Sequence, residues 1–141
     1  MIWKQKANID ALNNRGKNTM LSLLDIEFIE SGDDYMVAKM PVDPRVHQPI
    51  GIMHGGASCV LAETVGSTAA NFAVDQTKQY CVGLSINTNH IRSIKSGFIF
   101  AKAVPIHMGK STQVWNIDIT DENKKIISTT TLTMAVLNKT P

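Results

Sequence analysis

The chain has 141 residues, 14 Lys and Arg against 12 Asp and Glu, and a formal charge of +2. At this length a single domain over residues 1–141 buries most of its apolar surface, and 43% hydrophobic residues supply a core without metal or disulfide staples. The small, scattered charge argues against a dedicated nucleic-acid surface, which would cluster its basic residues.

The N-terminus places Lys4, Lys6 and Asp10 where a secretory signal needs an apolar run, so export by that route is not expected. The longest apolar-leaning stretch, Thr64 to Val74, is interrupted by Gly66, Ser67, Thr68 and Asn71 and falls short of the ~20 residues of a membrane span. Cys59 and Cys81 form no CxxC pair. A soluble protein in a reducing cytoplasm is the expectation, with no membrane partner.

In chain order, Asn8 is placed to cap a short helix that carries Ile9 and Leu12 and stops at Gly16. Leu24, Ile26 and Phe28 then alternate with Asp25 and Glu27. Ser31-Gly-Asp-Asp34 supplies a turn, and Met36, Ala38 and Met40 resume the alternation, which predicts a hairpin ending near Pro41. From Pro41 to Gly56 the density of Pro and Gly predicts a loop. Val60, Leu61, Val65, Ala69 and Phe72 recur at helical spacing, predicting the longest helix from Ala57 to about Val74. After it the period becomes two. Phe98, Phe100 and Val104 share one face; Trp115, Ile117 and Ile119 oppose Asn116, Asp118 and Thr120; and Asp121 to Lys125 turns into the β-branched run Ile126 to Leu137. The architecture expected is α+β: one small-residue helix among five or six antiparallel strands.

The chemistry-bearing stretch is Gln48-Pro-Ile-Gly-Ile-Met-His54-Gly55-Gly56-Ala57-Ser58, which runs into the long helix. A helix start leaves backbone N–H groups unpaired and favours negative charge, so Gly55 and Gly56 are placed to expose donors to an oxyanion. Further along, Glu63 and Ser67 share a helix face. Each residue alone has an ordinary structural reading: a solvated glutamate, a capping histidine, a glycine turn, a loop glutamine, a small packing serine. Together they put a donor pair, an orienting histidine, a carboxylate and a hydroxyl around one helix start.

This stretch, with Leu61-Ala-Glu63-Thr-Val-Gly-Ser67, resembles the hotdog-fold acyl-CoA thioesterases. The likeness extends over Met1-Ile-Trp-Lys, Met40-Pro-Val-Asp43, Gly83-Leu84 and Asn89-His-Ile-Arg-Ser93 to the 1,4-dihydroxy-2-naphthoyl-CoA thioesterases of menaquinone biosynthesis. The resemblance implies a curved antiparallel sheet around one long central helix. It also implies pairing into homodimers, usually dimers of dimers that make homotetramers, with sites at subunit interfaces; no cofactor or metal is expected. Carried over by position, Glu63 is the catalytic carboxylate, Gly55 the carbonyl-polarising N–H, Gln48 and His54 positioning residues, and Ser67 the helix hydroxyl. Gly83, His90, Ile91, Arg92 and Ser93, with His107, Met108, Gly109, Lys110, Ser111 and Thr112, match the segments that line CoA. Without the resemblance, His107, Arg92 and Lys110 are strand-end surface cations.

So small a site suits thioester hydrolysis, because an ordinary thiol has a pKa near ~8.5 and leaves with little acid help. Glu63 either attacks the carbonyl or deprotonates a water held by Gln48 or Ser67. Competing readings are a Cys59/His54 acyl transferase, a proofreading thioesterase for misloaded aryl carrier protein, a noncatalytic acyl-CoA binding module and a hotdog dehydratase. His47, His54, His90 and His107 lack the HxxxH or HExxH spacing of a zinc site. Enzymatic hydrolysis of an aromatic acyl-CoA is the leading expectation.

Overall fold

The computed structural model describes residues 1–141. Asn8 caps α1 (Ile9–Arg15) through its side chain to Ala11 N–H, and Gly16 ends it, as the sequence predicts. Just before the stretch where alternation predicts the first strand, the chain forms a four-residue helix that the sequence reading did not include, α2 (Met20–Leu23), capped by Thr19 and ending at Leu24. Asp25 then takes a left-handed φ of 53°, and β1 (Glu27–Ser31) starts only at Glu27. Its hairpin partner β2 (Met36–Val42) includes Pro41, which the proline density had assigned to loop. β1 begins opposite Lys39, so past that point β2 has a strand on one side only, the edge position that tolerates proline.

A 3-10 turn at Pro44–Val46 leads to α3 (Gly55–Phe72). The helix starts two residues before the predicted Ala57 because His54 accepts the Gly56 N–H on Nδ1 at 2.8 Å and draws both glycines into the first turn. The strands β3 (Gln79–His90), β4 (Gly97–Met108), β5 (Thr112–Asp121) and β6 (Ile126–Asn138) complete one six-stranded antiparallel sheet in the order β1-β2-β4-β5-β6-β3.

α3 packs across β2 to β6. Its small residues are required by that closeness: a Cβ on Gly66 would lie 2.6 Å from Leu132 Cδ2 and 3.0 Å from Ile117 Cδ1. Leu61, Val65 and Ala69 of the helix share one continuous core with Ile99, Ala101, Ala103, Trp115, Ile117, Ile119 and Leu132. Trp3 stacks on Trp115 with ring centroids 6.3 Å apart. On β4 the core face is Ile99, Ala101 and Ala103, so Phe98, Phe100 and Val104 share the opposite, outer face. No helix is long and apolar enough to cross a membrane.

Candidate active site

β3 runs antiparallel alongside α3, and their contacts define the site. Near the end of the helix Cys81 Sγ approaches Ala70 O at 3.5 Å, and burial pushes this thiol up to about 11. Next along the strand Gly83 lies against the Glu63 carboxylate so closely that a Cβ there would collide with Oε1. The ladder to β6 then shifts register between Gly83 and Ser85, a bulge beside the carboxylate. Past it Thr88 Oγ1 receives Cys59 Sγ at 3.4 Å, and His90 reaches the helix start, where a Cβ on Gly55 would sit 2.7 Å from Nε2. Glycine at positions 55 and 83 is thus explained by close approach to a side chain.

At the helix start, His54 Nδ1 takes the Gly56 N–H and His54 O takes the Ala57 N–H at 2.9 Å. The Gly55 N–H keeps no partner within the chain. In a neutral His54 whose Nδ1 accepts, Nε2 carries the proton and is a second donor. Gln48 sits in a tight turn: its N–H donates to Ile52 O at 2.9 Å, its carbonyl accepts from Gly51, whose φ is +81°, and its Oε1 accepts the Ile50 N–H at 2.6 Å. The side-chain NH2 of Gln48 is left free. Arg45 anchors this loop by donating to Asp43, Asp25 and Leu23 O. The Arg45 hydrogen bonds hold the Asp43 carboxyl down at about 2.

Gln48, Gly55, His90, Ile91, Arg92 and Ser93 therefore meet around one cavity of about 300 Å³. At its base is a residue the sequence reading did not select: Ser58, fully buried, with a hydroxyl that has no hydrogen-bond partner. A serine in the first helical turn, on the buried stripe that includes Leu61 and Ala62, was the available signal.

Other expected members stand apart. Glu63 is half-buried and takes part in none of the four ion pairs. It is eight residues beyond Gly55, about 12 Å along the axis at 1.5 Å per residue. Ser67 opens into a second cavity of about 470 Å³, with Thr68, Asn71, Tyr80, Leu12 and Phe28. His107 to Thr112 form the tip of the β4–β5 hairpin, where Gly109 N–H donates to Thr112 O at 2.8 Å and Gly109 lies under the His107 ring. Met108, Gly109, Lys110 and Ser111 border a third cavity of about 780 Å³ beside Met1 and Lys4. Because Gln79 pairs with Asn138 and His90 with Ser128, this tip lies at the β3 start and residues 90–93 at its far end. One protomer does not bring the two expected CoA-lining segments together. No group of three or more His, Cys, Asp or Glu is placed to hold a metal.

The model of the thioesterase superfamily matches residues 50–128, from the loop before the helix into β6. This chain belongs to the thioesterase superfamily. It is 46% identical over 137 residues to the 1,4-dihydroxy-2-naphthoyl-CoA hydrolase of Escherichia coli, covering 97% of this chain and all of that one. In solved structures it is similar to a mutant thioesterase of Pseudomonas aeruginosa, with TM-score 0.97, 43% identity, and 99% and 100% of the two chains covered. A thioesterase of Haemophilus influenzae matches with TM-score 0.95, 43% identity and coverages of 98% and 96%. The protein is a thioester hydrolase with the hotdog fold that the sequence resemblance implied.

Proposed function

We propose that this thioesterase hydrolyses an aromatic acyl-CoA in a site shared by two subunits, with 1,4-dihydroxy-2-naphthoyl-CoA the first substrate to test. The substrate choice follows the Escherichia coli relative's name. The observation that carries the shared site is the separation of Gly55 and Glu63 on one helix. A carbonyl polarised at Gly55 has to be within about 3 Å of its donor and close to the attacking group, and two helical turns do not permit that within one chain.

β3 supplies the remedy. It is the free edge of the sheet, twelve residues long, and Tyr80, Val82, Leu84 and Ile86 are exposed along it. Such an edge is a template for a second copy. Antiparallel pairing of two β3 strands about a centre near Ile86 and Asn87 sets Gly83 level with the partner's His90. Since Gly83 marks Glu63 and His90 marks Gly55 in each chain, this pairing sets each carboxylate opposite the other subunit's helix start. The same two-fold gives two sites per dimer.

In that arrangement the Gly55 N–H and the α3 dipole stabilise the oxyanion, while Gln48 and His54 orient the thioester. Glu63 either adds to the carbonyl, expelling CoA thiolate and leaving a mixed anhydride that water opens, or takes a proton from water as hydroxide adds. Both routes consume one water and yield the free acid and CoA. In this reading Ser67, one turn beyond Glu63, holds that water. Arg92 at the cavity rim meets a CoA phosphate.

Mixing inactive Glu63→Gln and Gln48→Ala proteins tests the sharing. In a mixed dimer one site carries both lesions and the other neither, so random exchange should restore about a quarter of wild-type turnover. Subunit exchange demonstrated by mass without recovered activity rejects the arrangement. Parallel kinetics with aromatic acyl-CoA, aliphatic acyl-CoA and aryl carrier protein identifies the substrate class.

A further inference from the structure

Asn71, in the last turn of α3, binds the strand beside it. Its Nδ2 donates to Cys81 O at 3.0 Å and to Ser67 O at 2.9 Å, while its Oδ1 accepts the Cys81 N–H at 2.8 Å. Its own carbonyl takes the Gln5 and Gln76 amides at 3.0 and 2.9 Å, which fixes the residue in place. The direction of the Cys81 groups follows from the ladder. Lys139 N–H donates to Lys78 O, so the even residues at the β3 start exchange hydrogen bonds with β6 and Cys81 and Gly83 face the free edge. After the bulge the phase inverts. Ile91 N–H donates to Ile127 O, so Ile86, Thr88 and His90 are the ones that face outward. Gln79, the outward residue before Cys81, already gives its N–H to Asp75 O at 2.8 Å, and Asn71 occupies the next outward position, which a pairing strand would otherwise use.

We propose that Asn71 is a positioning residue for hydrolysis: by taking both outward backbone groups of Cys81 it ends the ladder between two β3 strands and fixes the register that brings Glu63 to the partner's Gly55. The inference rests on the shared site and adds what sets its alignment. Side chains do not fix that register alone. Outward backbone groups recur at every second residue on either side of the bulge, so after a slip of two residues His90 still meets an outward residue, Cys81 in place of Gly83. Such a slip moves the partner's helix start by about 7 Å along the strand, beyond the reach of one carboxylate. A blocked Cys81 removes the position that a slip toward the β3 start would pair.

The test compares Asn71→Leu, which keeps the volume and loses all side-chain bonds, with Asn71→Asp, which keeps the acceptor for Cys81 N–H. Three readings are taken: sedimentation, kcat and KM on one aromatic acyl-CoA, and the distance between spin labels on Lys78→Cys in a Cys59→Ser, Cys81→Ala background of verified activity. Lys78 is an exposed residue at the start of the strand. The expected result for Asn71→Leu is a dimer whose kcat falls at least about tenfold, with KM nearly unchanged and the label distance moved or split by about 7 Å. Asn71→Asp should fall between it and wild type. A dimer of Asn71→Leu with the wild-type label distance overturns the proposal, whatever its kcat. So does a shifted distance with unchanged kcat, or a monomer, since the residue would then hold the interface rather than align it. If Asn71→Leu does not fold, wild-type distance and kcat in Asn71→Asp overturn the proposal, while a moved or split distance with reduced kcat supports it. Recovery of activity on mixing Glu63→Gln with Gln48→Ala, alongside neutral Asn71 variants, removes this inference and leaves the shared site standing.

Discussion

At one edge of the sheet β1 runs five residues, carries Glu27 and Glu30, and breaks register between Phe28 and Glu30. At the other β3 runs twelve and exposes Tyr80, Val82, Leu84 and Ile86. Each edge is met by an asparagine from a helix. Asn13 donates to Phe28 O at 3.0 Å and accepts the Phe28 N–H at 2.8 Å, the same bidentate pairing that Asn71 makes with Cys81. A carboxamide imitates a peptide unit, so it satisfies an edge residue without offering a further edge. On a five-residue strand with charged flanks, one such residue closes the edge. On β3 it closes one position at the start and leaves the rest, including the glycine against Glu63, open.

The comparison predicts that lesions along β3 act on catalysis and lesions along β1 act on stability. The largest effect is expected for Glu63→Gln, which keeps volume and loses the base or nucleophile. Turnover should drop by about a thousandfold, with CoA affinity and sedimentation unchanged. A kcat near wild type would remove Glu63 from the chemistry and with it the reason for an open β3 edge.

Gly83→Ala sharpens the same point from the strand side. Its Cβ enters the space of Glu63 Oε1, so the carboxylate has to move by about an ångström or more. A misplacement of that size costs about a hundredfold in kcat, while the backbone groups of residue 83 remain free to pair. The check is kcat measured beside sedimentation. A dimer with normal turnover would place the reacting carbonyl away from the β3 side of Glu63.

The elements that the residues announce are those whose cause is local. Asn8 and Gly16 bracket α1, and the spacing of Leu61, Val65 and Ala69 marks α3. α2 escapes notice because four residues carry no period, and Ile26 is buried at the strand approach in either reading. β3 is hard to recognise because its bulge inverts the alternation halfway, and because its outward residues are apolar for a reason that lies outside the single chain. The same limit governs the site. Gln48, Gly55 and residues 90–93 are gathered by one bridge of chain, with Met53 N–H bonded to Ile94 O at 2.8 Å. The segment 107–112 is carried to the far end by β4, twelve residues long. A motif identifies residue types but not the distance that a strand puts between two motifs. Asn13 and Asn71 were unreadable for a related reason: the backbone each one holds is 15 or 10 residues away.

The smallest effect separates the two edges most cleanly. Asn13→Ala frees Phe28 N–H and O on β1, a strand whose Phe28 side chain is buried in the core. Two hydrogen bonds are lost, but the edge stays within reach of water, so the cost should be about 1–2 kcal/mol in denaturant unfolding. kcat, KM and the sedimentation coefficient should stay at wild-type values, because β1 and β3 are the two opposite edges of the sheet and the strand that lies against Glu63 and Gly55 is β3. Unfolding of Asn71→Ala followed alongside gives the contrast, since Asn71 also ties α3 to Gln5 and Gln76 through its backbone, which the substitution keeps. If Asn13→Ala lowers kcat while its stability is unchanged, the β1 edge takes part in the site and the division of labour between the two edges fails.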